Sequence, residues 1–217
     1  MSLMKIAIVD DHKIIIEGLE MLLSLEKSVT VQKTYNHGHD FLEDLRAKAV
    51  SPDIVLMDLR MPTIDGLECS RILKKEFPAI KIIILSMNCD GKVVYELIEK
   101  IGVNGYLSKK INRQELVKAI NDVENGYFHL SEEAEKTLGD FKKKLISYPV
   151  IKLSSREKEV VSLMINGLTN REISEKLFIS ESTVETHRKN IYRKTEAKSL
   201  PKLIQMVSNL NLLEDIT

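Results

Sequence analysis

Ile54-Val55-Leu56-Met57-Asp58 is a short run of large apolar residues that ends in a carboxylate. Four consecutive apolar side chains leave no polar face, so a strand made of them is covered on both sides, as in a parallel sheet. Comparable runs lie around it, at Lys5–Val9, Val29–Thr34, Ile80–Leu85 and Gly105–Leu107. Longer stretches with helical spacing separate or follow them: Ile15, Leu19, Leu22 and Leu23; Leu67, Ile72 and Leu73; Leu116, Ile120 and Val123. The alternation predicts five βα units over residues 4–125, an α/β fold with a doubly wound, five-stranded parallel sheet of flavodoxin-like order 2-1-3-4-5.

The texture changes at residue 126. Glu132, Glu133 and Glu135 precede Lys142-Lys143-Lys144, with few large apolar residues between. Residues 126–149 read as a linker carrying one exposed helix that ends near Pro149. From 150 to 217 the pattern is only helical, which predicts a second, smaller all-α domain. Ser154-x-x-Glu157 and Thr169-x-x-Glu172 are capping boxes, the first helix stopping at Gly167. Ser180 caps a third helix running to about Lys194, and Ser199 with Pro201 starts a fourth.

Of the 217 residues, 43% are hydrophobic and 29% charged, an ordinary globular balance. The net charge of zero divides into +2 from residue 150 onward and −2 before it. That sign fits an acidic site in front and an anionic partner behind. No apolar run approaches the ~18 residues of a membrane span. Cys69 and Cys89 lack CxxC spacing and no signal-peptide pattern precedes them, so free thiols in the cytoplasm are expected.

Ligands of open parallel sheets bind beyond the carboxyl ends of the strands, where strand order reverses. Strand one ends in Asp10-Asp11, strand three in Asp58, strand four in Ser86, and strand five leads to Lys109. Strands one and three are neighbours in the expected order, so three carboxylates meet in one cleft. Crowded carboxylates need neutralising, and Mg²⁺ suits a site with few carboxylates plus phosphate and water. A carboxylate beside Mg²⁺ is able to attack phosphorus and form an aspartyl phosphate. Lys109 would then neutralise phosphoryl charge, and Ser86 would donate a hydrogen bond. Taken singly, Asp10-Asp11 is a turn or cap and Lys109 a solvated lysine. Their joint placement at strand ends makes the argument.

The two short helices around the Thr169 and Ser180 caps suit a helix-turn-helix, with Ser180–Lys194 as recognition helix. Val184, His187 and Ile191 fall on its inward face, while Glu185, Thr186, Lys189 and Arg193 fall outward. Arg188, Lys194 and Lys198 flank them within reach of phosphates. Glu185 has two readings: it accepts a hydrogen bond from a base, or it only holds Lys189 at i, i+4.

Val9-Asp10-Asp11-His12, Met57-Asp58-Leu59-Arg60-Met61-Pro62-x-x-Asp65-Gly66, Leu85-Ser86-Met87 and Gly105-Tyr106-Leu107-Ser108-Lys109 resemble the receiver domains of two-component response regulators. Leu153-Ser154-x-Arg156-Glu157, Asn166-Gly167-Leu168-Thr169 and Ser180-x-x-Thr183-Val184-x-x-His187 resemble the LuxR-type output domain, so the whole chain is similar to the NarL/FixJ subfamily. The resemblance implies that a histidine kinase phosphorylates Asp58. It implies Mg²⁺ held by Asp11, Asp58 and the Arg60 backbone carbonyl, with Asp10 acting through water, and Tyr106 as the switch aromatic. It implies a homodimer when phosphorylated, regulating transcription through double-stranded DNA, with Thr183 among the contacts and no enzymatic turnover of a small substrate. Two departures stand out. Lys110 replaces a common acidic residue, and Thr195-Glu196 replaces the usual apolar residue and glycine, leaving the connection to the last helix open.

A haloacid-dehalogenase-type hydrolase would need an Asp two residues after its nucleophile, where Arg60 stands. A transcription factor that no longer uses phosphate is argued against by the intact Asp10, Asp11, Asp58, Ser86 and Lys109.

Overall fold

A computed structural model describes residues 3–147, 151–210 and 213. The chain divides into two compact units, Met1–Lys142 and Lys143–Thr217.

In the first unit, β1 (Met4–Val9), β2 (Val29–Tyr35), β3 (Ile54–Asp58), β4 (Lys81–Ser86), β5 (Gly105–Ser108) and β6 (His129–Leu130) form one parallel sheet of order β2-β1-β3-β4-β5-β6. Alternate residues of each strand face opposite sides, so each strand feeds two cores. Ile6, Ile8, Ile54, Leu56, Ile83, Leu85 and Leu107 pack with helices α1 (Lys13–Ser24) and α5 (Arg113–Glu124). Ala7, Val9, Val55, Met57, Ile82, Ile84 and Tyr106 pack on the other face with α2 (Gly38–Arg46), α3 (Gly66–Glu76) and α4 (Gly91–Tyr95), which continues as a π-helical stretch, Glu96–Ile101. The longer helices present their buried residues at three- and four-residue spacing, such as Leu116, Ala119, Ile120 and Val123 of α5.

Two expectations need correction. The sheet has six strands, not five. Only two residues make β6, too few to show any periodicity, and they are recognisable only by pairing with Gly105 and Tyr106. The segment after α5 is also no exposed linker helix. Helix α6 (Glu132–Ser147) buries Ala134 and Leu138 in the core that holds Val94, Leu97 and Tyr106. These two apolar residues lie one turn apart on a helix whose sequence is otherwise rich in charge. The expected end near Pro149 lies outside the described residues.

The second unit is helical: α7 (Ser155–Ile165), α8 (Asn170–Leu177), α9 (Glu181–Thr195) and α10 (Leu200–Leu210). Both capping boxes form as expected, with Ser154 and Thr169 each accepting from the N3 amide while Glu157 and Glu172 reach back. Val160, Val161, Met164, Ile173, Val184, Ile191, Leu203 and Met206 make its core. Among the described residues, no helix is long and apolar enough to cross a membrane.

Candidate functional site

The first site lies at the carboxyl edge of the sheet. Asp10 follows β1 and Asp58 ends β3, and both are almost fully buried, at 1% and 4% exposure. Lys109, just beyond β5, puts Nζ 2.6 Å from Asp10 Oδ2 and 2.9 Å from Asp58 Oδ1. Its backbone N–H donates to the Ser86 carbonyl, which fixes the lysine against β4. Burial pushes the Asp58 carboxyl up, against the opposing pull of Lys109 and with the push of Asp10. Burial alone would lower the Lys109 ammonium, but Asp10 and Asp58 outweigh it and raise it. The cleft thus holds more anionic than cationic charge behind a partly dry wall.

Asp11 is half-buried, and Lys109 does not reach it. Asp10, Asp11, Asp58 and His12 present ligand atoms within 4.8 Å of one another. Asp10 Oδ2 and Asp11 Oδ1 are buried without a well-formed hydrogen bond, although Lys109 Nζ lies near the first and His12 Nδ1 lies 2.7 Å from the second. Hard oxygen donors with open lone pairs, clustered at this spacing, fit a Mg²⁺ ion. The Arg60 backbone N–H works with Lys109 to lower the Asp58 carboxyl against its burial, while the Arg60 side chain is exposed. His12 joins the cluster although sequence reading gave it no role; its place next to Asp10-Asp11 was the available signal.

Gly66 explains the Asp65-Gly66 pair of the motif. A Cβ there would sit 2.2 Å from the Asp58 carbonyl oxygen and 2.9 Å from Leu59 Cα. Only a hydrogen fits, and α3 can then start against the strand end that carries Asp58. Asp65 caps this helix by accepting from the Glu68 amide at 2.8 Å.

Ser86 and Tyr106 meet at one backbone atom. The Ser86 hydroxyl and the Tyr106 hydroxyl each donate to the Asn88 carbonyl, both at 2.8 Å. Tyr106 is fully buried, and burial pushes its phenol up to about 12, against an opposing effect of Ser86. Asn88 was missed from sequence because its contribution is a carbonyl oxygen, which every residue has.

The second site is the helix-turn-helix α8–α9. Ser180 caps α9 by accepting from the Thr183 amide at 3.1 Å, and its hydroxyl also bonds the Thr183 hydroxyl at 2.7 Å. Thr183 is therefore half-buried and tied into the cap. Glu185, Thr186, Lys189 and Arg193 are exposed on the outer face, Arg188 is half-buried, and Val184 and Ile191 are fully buried inward. The Thr186 hydroxyl donates to the Ser182 carbonyl at 3.0 Å, leaving its lone pairs and methyl outward. Glu185 and Lys189 are not ion-paired with each other. Lys194, expected at the flank, is exposed, and its ammonium lies 2.6 Å from the buried carboxylate of Glu157, which also accepts from the Ser154 amide.

The connection left open by Thr195-Glu196 is resolved. Thr195 is buried and its hydroxyl donates to the Ile191 carbonyl at 2.8 Å. Glu196 takes φ 54°, the left-handed conformation that glycine adopts without strain. The helix end keeps its geometry at some steric cost.

The family model for the response regulator receiver domain matches residues 6–121, and that for bacterial regulatory proteins of the luxR family matches residues 152–207. The chain is 36% identical over 202 residues to the transcriptional regulatory protein LnrK of Bacillus subtilis (strain 168), covering 88% of this chain and 90% of LnrK. It is 33% identical to the oxygen regulatory protein NreC of Staphylococcus aureus (strain bovine RF122 / ET3-1), covering 97% of this chain and all of NreC. Among solved structures, the RcsB response regulator of Salmonella typhimurium, described for conformational dynamism in DNA interaction, is similar. It has a TM-score of 0.63 and 25% identity, covering 96% of this chain and 99% of that one.

Proposed function

The chain belongs to the two-component response regulators of the NarL/FixJ subfamily, a receiver joined to a LuxR-type DNA-binding domain, and on that premise we propose that Asp58 is its phosphoacceptor. The observation that carries the proposal is Lys109 Nζ bridging Asp10 and Asp58 at the sheet edge. An Asp58 carboxylate oxygen attacks phosphorus of a kinase phosphohistidine or a small phosphodonor. An O–P bond forms as the donor's N–P or O–P bond breaks, and the donor leaves with the electron pair. Lys109 neutralises charge on the transferred phosphoryl group, and Ser86 turns its hydroxyl from the Asn88 carbonyl to donate to it. Asp11, Asp58 and the Arg60 carbonyl, with Asp10 through water, would hold Mg²⁺, which supplies further neutralisation of phosphoryl oxygens.

Release of the Asn88 carbonyl by Ser86 alters the partner of Tyr106 and so the packing of α4. The phosphorylated chain pairs with a second copy and sets two α9 helices in major grooves about one helical turn apart. Glu185, Thr186, Lys189 and Arg193 face the bases or nearby backbone, and Arg188 the phosphates, with Thr183 fixing the start of the helix.

Acetyl phosphate with Mg²⁺, read by intact mass, tests the assignment together with DNA binding. One phosphoryl group is expected on wild type and none on Asp58→Asn, with tighter DNA binding and dimer formation only in the former. Full phosphorylation of Asp58→Asn overturns it. Equal DNA affinity with and without the phosphodonor would favour a phosphate-independent regulator instead.

A further inference from the structure

Phe178 combines two unfavourable features. Its side chain is 94% exposed, and its backbone sits at φ 55°, ψ 45°. The left-handed region crowds any Cβ against the following carbonyl, and glycine alone escapes the penalty. The conformation itself is required, because it closes α8: the Phe178 and Ile179 amides both donate to the Ser174 carbonyl. A phenyl ring is not required for this, and at such exposure it adds almost nothing to the core. Among the described residues of the second unit, the other exposed large apolar side chain is Ile204, at only 37%. A strained backbone carrying an unburied ring is the kind of outlier that functional surfaces retain.

The place of Phe178 indicates the surface. It lies in the α8–α9 turn, two residues before the Ser180 cap. Recognition helices enter the major groove by their N-terminal residues, so the turn that precedes them approaches the duplex as well. Its exposed neighbours are polar throughout: Lys176, Ser180 and Ser182 are cationic or hydroxylic, Glu175 is paired with Arg171, and Glu181 lies in the first turn of α9, so the ring is not part of an apolar protein face. Duplex DNA offers a phenyl ring two apolar surfaces there, the carbon faces of deoxyribose and the thymine methyl group.

We propose that Phe178 is an apolar DNA contact, its ring laid against deoxyribose or thymine-methyl surface where α9 enters the groove. This rests on the reading of α9 as the recognition helix. It adds an uncharged contact to a face otherwise built of polar and charged groups.

The test uses the full chain, a duplex that wild type selects from a random pool, and the variants Phe178→Gly, Phe178→Ala and Arg193→Ala. Both Phe178 variants should bind the duplex about fivefold more weakly, the scale of half-burying a phenyl ring. Their dependence of affinity on salt should match wild type, since no charge is lost. Phe178→Gly alone should melt higher, because it keeps the turn and loses the strain. A loss limited to the selected duplex supports a thymine contact, and an equal loss on random DNA supports a deoxyribose contact. Unchanged affinity in both variants overturns the proposal. So does a fall in melting temperature with loss of dimer in sedimentation, which would show that a second copy covers the ring. Arg193→Ala keeps the two readings apart: if it leaves affinity and salt dependence untouched, the groove-facing assignment of α9 has failed as well.

Discussion

Asp11 stands apart from the other two carboxylates of the cleft because Lys109 pairs with Asp10 and Asp58 but not with it. Removing it relieves repulsion without stranding the lysine. Asp11→Ala should therefore melt at the wild-type temperature or up to about 5 °C higher without metal. Its Mg²⁺ affinity should fall by more than about tenfold, a loss that even outer-shell changes can reach. Calorimetric titration with Mg²⁺ and a thermal melt check both halves, and undiminished affinity would remove Asp11 from the site. In the second unit, Glu185 is exposed and not paired with Lys189. A carboxylate among phosphates is repelled, so Glu185→Ala should strengthen binding to random DNA. If Glu185 accepts from a cytosine amino group, the variant should also lose about 1–3 kcal/mol of discrimination at one base pair. Binding-site selection with both proteins decides, and identical preferred sequences would end the base-reading idea. The clustering of the acidic cleft was legible because few other reasons put carboxylates and a lysine at successive strand ends. Asn88 was illegible because backbone carbonyls carry no residue identity.

At the scale of elements, the first turn of α7 grips the ends of both helices of the DNA-binding motif. Arg156 donates to the Leu177 carbonyl at the end of α8, 2.7 Å away, and Glu157 holds Lys194 near the end of α9. The Glu157 carboxyl is held below its ordinary range: burial would raise it, but Lys194 and the Ser154 amide outweigh burial. Its folded value lies below its unfolded value, so its stabilisation is present above about pH 4.3 and is lost as pH falls through the lower folded value. Glu157→Gln keeps an acceptor for the cap but loses the charge. We expect it to destabilise the second unit by about 1–2 kcal/mol at pH 7, the scale of a charge-assisted hydrogen bond. Thermal melts from pH 7 down to pH 3 should show the gap between the two proteins closing only below about pH 4. A gap constant over the whole range would assign the loss to packing. The capping boxes were readable because their spacing is fixed by helix geometry. The Glu157–Lys194 pair spans 37 residues and could not be read. Glu196 was flagged only as a missing glycine, and that it adopts the glycine conformation regardless reflects packing of the buried Thr195 and Ala197 on either side.

Over the whole molecule, the first five strands follow from their continuous apolar runs, and the four output helices from the caps that open them. The small strand β6 and the seating of α6 do not, because they depend on contacts with distant residues. Gly91 shows how close that seating is: a Cβ there would lie 2.8 Å from the Thr137 carbonyl oxygen and 2.9 Å from Phe141 Cβ. Tyr95 and Phe141 rings pack 5.5 Å apart, and Lys142 pairs with Glu99. A fragment ending at residue 125 would retain the entire acidic cleft yet bare the β5 edge and the apolar patch over Val94 and Leu97. Bare strand edges recruit other chains. Such a fragment should aggregate in light scattering, whereas one ending at residue 142 should stay monodisperse; equal behaviour would show that α6 is dispensable. The joint between modules therefore lies 18 residues beyond the end of α5, at Lys142 rather than Glu124. Chimeras that exchange output domains among relatives should be spliced after α6 has docked, because the receiver counts part of its tether as its own wall.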